Sequence, residues 1–384
     1  MPDTPTAKCV LIIAGETSGD HHGALLVSAM KQKRPDIFFC GIGGPEMRAA
    51  GVRIIVDAEK LSVVGITEVA SKLPSVLAGA AAVKRVIDAI HPDLVILLDF
   101  PDFNLRMAAY AKKRGVRVLY YISPQIWAWR SGRIETIRKV VDHMAVILPF
   151  EQEYYEKRGV AATFVGHPLL DQGEGLADFG DDSRKPGIIG ILPGSRLGEV
   201  EKNLHVMLAA ASLINRRHPG VKFLVSAAPS IDRDRLSGFM RPYESICDIS
   251  IDTRNIREIL GECTTAIAVS GTVTLDAAIC GVPMVIVYRI SPISYMLGKS
   301  LIRVDHIGLV NIIAGKRVVP ELIQNEATPL RIADEISSMI DDPARLSAIR
   351  AKLSGVRKKM GGPGASTTTA KIAFSLMDEK NKGR

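Results

Sequence analysis

The stretch Gly187-Ile188-Ile189-Gly190-Ile191-Leu192-Pro193-Gly194-Ser195-Arg196 decides the fold of the second half of the chain. Its first six residues are uncharged and mostly apolar, which is typical of a buried parallel strand. Pro193-Gly194 then marks a turn. From Glu199 onward, apolar residues recur at helical spacing, at positions 200, 204, 208 and 211, with Lys202 and Asn203 on the other side. The stretch therefore predicts a strand, a loop of small residues and a helix.

This strand–loop–helix unit suits an anionic ligand. The loop presents backbone N–H groups at the positive end of a helix, where a phosphate binds favourably. Arg196 adds a permanent, forked cation at the same place. An ordinary turn with a surface arginine would look the same, so this stretch alone leaves both interpretations open.

Composition places the chain among two-domain α/β proteins. Its 384 residues are 47% hydrophobic but only 5% aromatic, which favours α/β over all-β structure. The net charge of +8 is scattered, and no Lys/Arg block indicates nucleic-acid binding. The five cysteines are widely spaced, which fits free thiols in a reducing compartment. The sequence shows no signal-peptide pattern, and we expect no transmembrane helix.

A second strand–loop–helix unit begins the chain. Residues 10–14 (VLIIA) read as a buried strand, and residues 15–20 (GETSGD) follow it without the glycine pattern of a dinucleotide site. A helix is predicted next, from about His22 to Lys33. Either Thr17 and Ser18 cap the next helix, or the glycines admit a substrate whose hydroxyl meets Glu16 or Asp20. The next strand ends at Gly43-Gly44, which indicates another close backbone approach.

Asp99 follows the clearest buried strand of the first half, residues 94–98 (LVILL). Ligands of open parallel sheets lie outside the carboxyl ends of the strands. A carboxylate at such a place can accept a proton from an attacking hydroxyl, so Asp99 is the candidate base. Asp102 precedes an amphipathic helix and fits a helix cap better.

Two further segments carry apolar side chains with two possible roles. Trp127 and Trp129 lie within three residues of each other, either as structural anchors or as walls of a pocket. Residues Ile66, Val69, Leu73, Val76 and Leu77 either pack a helix against the sheet or dip into a bilayer interface.

The second half repeats the first in outline. Residues 172–186 are rich in Gly, Asp and Ser and read as a linker. Ser270-Gly271-Thr272 lies at a strand-to-helix junction, a suitable place for phosphate or ribose, and Asp276 lies on the first turns of that helix. The fold class predicted is two Rossmann-like, doubly wound domains with a cleft between them.

The chain also resembles a known family. The match runs from about residue 10 to about residue 321, and its strings follow in the expected order. They are AGETSGD (14–20), GIGGPEM (41–47), DFPDFN (99–104), SPQIWAW (123–129), LPGSR (192–196) with EVE (199–201), SGT (270–272) and NIIAG (311–315). They are similar to lipid A disaccharide synthase, a family of nucleotide-sugar glycosyltransferases with the GT-B architecture.

The resemblance implies a reaction. UDP-2,3-diacylglucosamine would be the donor and 2,3-diacylglucosamine 1-phosphate (lipid X) the acceptor, giving a β(1→6) disaccharide 1-phosphate and UDP. Asp99 would be the general base. The UDP site would comprise Gly194, Ser195, Arg196, Ser270, Gly271, Thr272, Asp276 and Asn311, where Asp276 stands at a position at which the family tends to have Glu. Acceptor or cleft candidates are Glu16, Ser18, Asp20, Gly43, Gly44, Asp102, Asn104 and Trp127.

The resemblance also implies domains and partners. An acceptor domain would span 1–170 and a UDP-sugar domain 187–345, joined by a linker at 171–186. The C-terminal helices at 346–384 would pack back on the first domain. Ile66, Val69, Leu73, Val76 and Leu77 would face the inner membrane from the cytoplasm, although Pro74 and Ser75 replace expected basic residues. Nucleic acid is not an expected partner, and the sequence leaves open whether the protein forms a homodimer.

We expect neither a cofactor nor a metal, because the sequence has no His/Cys cluster at ligand spacing. Two alternatives use the same architecture: a UDP-sugar 2-epimerase acting on a soluble sugar, and a non-catalytic lipid- or nucleotide-binding protein. Neither accounts for the matching strings.

Overall fold

The structure is a computed structural model that describes residues 8–61, 66–171, 187–291, 295 and 305–382. Within these ranges, the side chains of residues 17, 66–72 and 379–382 are not described. The linker predicted at 171–186 therefore lies outside the described residues except for Asp171.

Every strand pairing in the described residues is parallel. The strands are β1 (Cys9–Ala14), β2 (Phe38–Gly43), β3 (Arg53–Asp57), β4 (Leu94–Leu98), β5 (Arg117–Tyr121), β6 (His143–Val146), β7 (Ala162–Phe164), β8 (Ile188–Leu192), β9 (Lys222–Ser226), β10 (Asp248–Asp252), β11 (Thr265–Val269), β12 (Met284–Tyr288) and β13 (Glu321–Ile323).

Helices connect the strands, as parallel pairing requires. They are α1 (Thr17–Lys33), α2 (Pro45–Ala49), α3 (Ile66–Ile90), α4 (Pro101–Lys113), α5 (Ile134–Val140), α6 (Glu151–Glu156), α7 (Leu197–Arg217), α8 (Arg233–Met240), α9 (Ile256–Glu262), α10 (Val273–Ile279), α11 (Leu309–Ala314), α12 (Pro329–Asp341), α13 (Pro343–Lys359) and α14 (Ala365–Lys382).

The chain forms two compact units. Unit 1 comprises residues 1–171 and 361–384, and unit 2 comprises residues 172–360. The chain thus returns to unit 1 at Gly361, so α13 belongs to unit 2 and α14 packs against α1 in unit 1. Both units have the doubly wound α/β fold that the sequence predicts.

Each sheet has a topological switch point. The strand order is β3-β2-β1-β4-β5-β6-β7 in unit 1 and β10-β9-β8-β11-β12-β13 in unit 2. The order reverses direction beside β1 in unit 1 and beside β8 in unit 2. Open α/β sheets bind ligands outside the carboxyl ends of the strands at such points. The loops after β1 and β4, and those after β8 and β11, are therefore where binding groups are expected.

Both faces of the sheet in unit 1 are buried. Leu11 and Val95 belong to one core, which includes residues of α3, α4 and α5, while Val10 and Leu94 belong to the other, which includes residues of α1 and α14. Successive strand residues point to opposite faces, so a strand covered on both sides must be apolar throughout. This explains the uninterrupted apolar runs in the sequence.

Some sequence expectations need correction. Helix α1 begins at Thr17, whereas the sequence suggested a start near His22, and its N-cap residue, Glu16, makes no side-chain cap bond. Asn203, expected on the polar side of α7, is only 1% exposed. Its amide bonds the backbone of Arg289 in both directions, at 2.9 and 3.3 Å.

Among the described residues, no helix is both long and apolar enough to cross a membrane. None of the five cysteines, all of which are among the described residues, forms a disulfide bond.

Candidate functional site

Asp99 lies directly after β4, at the switch point of unit 1. Asp99 and Phe100 both have left-handed backbone conformations, with φ of 46° and 47°. Non-glycine residues seldom adopt such angles, and consecutive ones persist only when the surroundings fix them. The sharp turn aims the backbone away from the strand and into the α4 N-terminus, so its geometry needs local support.

That support comes from two buried side chains. Asn104 Nδ2 donates to the carbonyl oxygens of Leu98 (3.0 Å) and Asp99 (2.7 Å). The Tyr120 hydroxyl also donates to the Asp99 carbonyl oxygen, at 2.6 Å. Burial raises the pKa of Tyr120 well above its ordinary value, and the Asp99 charge acts in the same direction. Tyr120 therefore keeps its proton and remains a donor.

The loop after β1 lies against the same turn. Ala14 pairs with Leu98, so the two strands end side by side. A Cβ atom on Gly15 would lie 2.5 Å from the Phe100 ring, which stacks on Phe103 with centroids 5.1 Å apart. Glycine at position 15 thus lets the two loops approach. Consequently the segment carrying Glu16 and Ser18 begins at the same sheet edge as Asp99.

Asp20 serves α2. Its carboxylate is 3% exposed and accepts three backbone N–H bonds, from Gly44 (2.6 Å), Glu46 (3.0 Å) and Met47 (3.1 Å). A Cβ atom on Gly44 would lie 2.7 Å from Asp20 Oδ2, and one on Gly43 would lie 2.6 Å from Met47 Sδ. Because glycine has no Cβ atom, these two positions allow the N-terminus of α2 to lie close to the Asp20 carboxylate. The hydroxyl-binding role considered for Asp20 is replaced by helix capping.

Asp102 does not cap α4, contrary to the sequence interpretation. The N-cap residue is Phe100, which makes no side-chain cap bond, and Asp102 lies in the first turn. Its carboxylate is 72% exposed and pairs with Arg130 and Arg133. Arg130 also lies over the Trp129 ring, 4.6 Å from its centroid. These contacts connect the start of α4 to the tryptophan segment.

Trp127 is anchored by a buried carboxylate that the sequence analysis missed. Trp127 Nε1 donates to Glu151 Oε1 at 3.0 Å, and the Leu148 backbone N–H donates to Glu151 Oε2 at 3.0 Å. Burial raises the pKa of Glu151 to about 7, although these hydrogen bonds oppose the shift. Trp127 also makes an edge contact with Phe150. The anchor role is thereby supported for Trp127.

In unit 2, residues 193–196 follow β8 at the switch point. Gly194 has φ of 105°, a conformation that favours glycine. Arg196 is the N-cap residue of α7, is 58% exposed, and lies 3.4 Å from the Glu199 carboxylate. The Ser195 carbonyl accepts a bond from Ser230 at 2.7 Å. The segment thus places a cation and a 21-residue helix start at one sheet edge.

The neighbouring loop after β11 contains Ser270, Gly271 and Thr272, and Thr272 is the N-cap residue of α10. Ser270 Oγ donates to the Ile307 carbonyl at 3.2 Å. Asp276, on α10, is buried and forms an ion pair with Arg257 at 3.1 Å. Burial raises the pKa of Asp276 even though Arg257 opposes it. The ribose contact expected of Asp276 competes with this internal ion pair.

Asn311 is completely buried and internally bonded. Its Nδ2 donates to Val319 O and Glu321 Oε1, and its Oδ1 accepts from the backbone of Val318 and Val319. The two hydrogen bonds that it donates and the two that it accepts use the hydrogen-bonding capacity of an amide side chain. The structure therefore gives Asn311 a supporting role where the resemblance implied a nucleotide contact.

Glu321 is a second organising carboxylate that the sequence analysis missed. It accepts from the backbone N–H groups of Ile307 and Gly308, at 3.0 Å each, and from Asn311. It therefore fixes the start of α11 beside the Ser270 loop. No local sequence pattern around Glu321 marks this role.

The apolar segment on α3 is partly exposed. Leu73 and Leu77 are 51% and 57% exposed, and Val76 is half-buried. The side chains of Ile66 and Val69 lie outside the described residues. Among the side chains that the structure describes, no group of three or more His, Cys, Asp or Glu residues could hold a metal ion.

Comparison with known proteins identifies the family. The family model described as "Lipid-A-disaccharide synthetase" matches residues 10–373. The chain belongs to the lipid-A-disaccharide synthase family. The enzyme of that name from Geobacter metallireducens is 46% identical over 98% of this chain and 99% of its own. The one from Nitrosococcus oceani is 42% identical over 99% of both.

Solved structures show the same fold at low sequence identity. A putative UDP-N-acetylglucosamine 2-epimerase from Listeria monocytogenes gives a TM-score of 0.64 at 12% identity, covering 99% of this chain and 98% of its own. The glycotransferase of kitacinnamycin gives 0.66 at 12% identity, covering 97% and 99%.

Membership of the lipid-A-disaccharide synthase family makes this protein a glycosyltransferase of lipid A biosynthesis. It thereby confirms the family resemblance. The epimerase and non-catalytic alternatives are not favoured, since at 12% identity the similarity to an epimerase concerns the fold alone.

Proposed function

We propose that this glycosyltransferase joins UDP-2,3-diacylglucosamine to lipid X with inversion at the anomeric carbon, giving the β(1→6) disaccharide 1-phosphate and UDP. The observation that supports this most is the position of Asp99. It is the carboxylate at the switch point of unit 1, on a turn fixed by Asn104 and Tyr120. We assign Asp99 as the base that accepts the proton of the acceptor 6-hydroxyl.

The donor site belongs to the loops of unit 2. The negative charge that develops on the departing UDP diphosphate would be stabilised by the α7 N-terminus, the Gly194 and Ser195 backbone, and the Arg196 guanidinium. Ser270, Gly271 and Thr272 supply further donors at the adjacent helix end. Because these groups supply positive charge themselves, we expect turnover to continue in the presence of EDTA.

The lipid portions of both substrates suggest a membrane-facing surface on α3. Leu73 and Leu77 are four residues apart, so they lie on one helix face, and each is more than half exposed. An exposed apolar helix face next to basic residues such as Lys84 is typical of an interfacial segment. We propose that this face contacts the cytoplasmic surface of the inner membrane. Leu73→Ser/Leu77→Ser would then reduce cosedimentation with vesicles.

The test of the reaction is UDP release from UDP-2,3-diacylglucosamine in detergent, with and without lipid X. Release that requires lipid X and yields a disaccharide phosphate supports the proposal. UDP binding without release in the presence of lipid X would contradict it. A requirement for added Mg²⁺ or Mn²⁺ would contradict the metal-independent mechanism alone.

The assignment of Asp99 is tested by Asp99→Asn, with Asp102→Asn as the matched control from the same turn. Loss of the base should lower kcat by at least about 100-fold while UDP binding persists. Asp102→Asn should retain most activity, because Asp102 is largely exposed and paired with arginines. Equal activities of the two variants would remove Asp99 from the mechanism.

The assignment of Arg196 is tested by Arg196→Ala and Arg196→Lys, with UDP binding measured by calorimetry. The alanine variant should bind UDP about tenfold more weakly, and lysine should recover part of that loss because it restores charge without the fork. Unchanged UDP affinity in Arg196→Ala would place the diphosphate elsewhere.

A further inference from the structure

A basic pocket in unit 2 lies outside the proposed reaction site. It has a volume of about 380 Å³ and lies where α12 and α13 meet the segment that leads into β13. It contains no residue of the 193–196 or 270–272 loops. Its lining residues are Arg317, Val318, Val319, Pro320, Arg331, Glu335, Arg345, Ala348, Ile349 and Lys352.

Positive charge dominates this pocket. Four cationic side chains line it, Arg317, Arg331, Arg345 and Lys352, against one carboxylate, Glu335. Helix α13 contains six Arg and Lys residues and no Asp or Glu within its 17 residues. Concave sites of one sign with apolar walls concentrate the electrostatic field and raise the local concentration of counter-ions.

Ion pairs orient Arg345 and Arg331 at this pocket. The four cationic side chains that line it still outnumber the carboxylates that pair with them. Arg345 Nη2 lies 2.6 Å from Glu335 Oε2, and Arg345 also bonds the Ser338 hydroxyl. Arg331 lies 3.3 Å from Glu326. Arg345 and Lys352 are seven residues apart on α13, so both lie on the face that lines the pocket.

We propose that this pocket binds a phosphate ester. Arginine guanidinium groups match phosphate oxygens in pairs, and lysine adds a mobile point charge. The pocket also has an apolar wall on which the organic part of the ester can pack. This wall is formed by Val318, Val319, Ala348 and Ile349. Both a phospholipid headgroup and a soluble phosphate ester have this chemistry, and the experiment distinguishes them.

The first arm measures binding of inorganic pyrophosphate by calorimetry in the presence of saturating UDP, which fills the proposed donor site. Lys352→Glu reverses a charge in the pocket, and Lys358→Glu, also exposed on α13 but outside the pocket, is the control. We expect at least about tenfold weaker binding for Lys352→Glu and a change of about twofold or less for the control. Absence of binding to the unmodified protein, or equal affinities of the two variants, would overturn the proposal.

The second arm uses sedimentation with phosphatidylcholine vesicles, with and without phosphatidylglycerol. If Lys352→Glu loses binding to the anionic vesicles and the control keeps it, the ligand is a lipid headgroup. If both variants sediment equally while pyrophosphate binding is weakened in Lys352→Glu alone, the ligand is a soluble phosphate ester. Lys352→Gln, which removes the charge without reversing it, should give a smaller loss of pyrophosphate affinity and replaces Lys352→Glu if that variant does not fold.

Discussion

Glu151 provides a stability prediction with a definite sign. Its carboxyl group is 1% exposed, and burial raises its pKa from 4.5 to about 7. A change of this size corresponds to about 3 kcal/mol of differential interaction between the two protonation states. The protonated form is favoured in the folded protein, so its contribution to stability is fully present below pH 4.5. It is lost as the pH rises through about 7.

Glu151→Gln removes this pH dependence and introduces a different defect. A glutamine oxygen can accept from Trp127, but its NH₂ group faces the Leu148 N–H and cannot accept from it. This loss costs about 1–2 kcal/mol at every pH. The variant should therefore be less stable than the unmodified protein at pH 5. By pH 8 the ordering should reverse, because only the unmodified protein must bury a charge there.

The assay is urea unfolding followed by tryptophan fluorescence between pH 5 and pH 8. Both tryptophans of the chain, Trp127 and Trp129, lie in unit 1, and Trp127 bonds Glu151, so the signal reports that unit. Glu153→Gln is the control, since Glu153 lies exposed on the same helix and Lys157 lowers its pKa. A constant stability difference between Glu151→Gln and the unmodified protein across this range would refute the reasoning.

Two further predictions concern buried polar contacts. Tyr120→Phe removes the hydroxyl that donates to the Asp99 carbonyl. In this variant kcat should fall about tenfold while the affinity for UDP is unchanged. An unchanged kcat would show that the turn keeps its geometry without this hydrogen bond. Arg257→Met leaves Asp276 buried without its 3.1 Å partner and should destabilise unit 2 by about 3–5 kcal/mol in urea unfolding followed by circular dichroism. Arg257→Met/Asp276→Leu should recover most of that loss, and a double variant as unstable as the single one would contradict the ion-pair explanation.

The fold could be predicted from sequence because its signal is local. Strands buried on both faces are apolar throughout, as residues 94–98 show, and Pro-Gly or Gly-rich loops mark their ends. The same logic correctly located Asp99 and residues 193–196 at carboxyl strand ends. Element boundaries were less accurate, since α1 starts five residues before the sequence estimate of about His22.

The roles of several polar residues could not be predicted, because their partners are distant in sequence. Asp20 and Gly44 are 24 residues apart, and Glu151 and Trp127 are also 24 apart. Asn203 bonds the backbone of residue 289, 86 positions away. A polar side chain that caps a neighbouring helix and one that binds a substrate can be the same residue type in the same local sequence pattern. Only the three-dimensional partner separates them.

The two switch points carry complementary chemistry on the same sheet topology. In unit 1, the edge after β4 carries the Asp99 carboxylate, and its strained turn persists because Asn104 and Tyr120 bond the carbonyl oxygens. In unit 2, the edge after β8 carries the α7 N-terminus and the Arg196 cation. A base requires a fixed direction toward one hydroxyl, and the buried donors at that turn suit the role proposed for Asp99. A diphosphate, in contrast, is a diffuse anion, which backbone N–H groups and an exposed guanidinium can bind with less positional support. The turn at Asp99 is thus held by buried side chains whereas Arg196 is 58% exposed, which agrees with the role proposed for each edge.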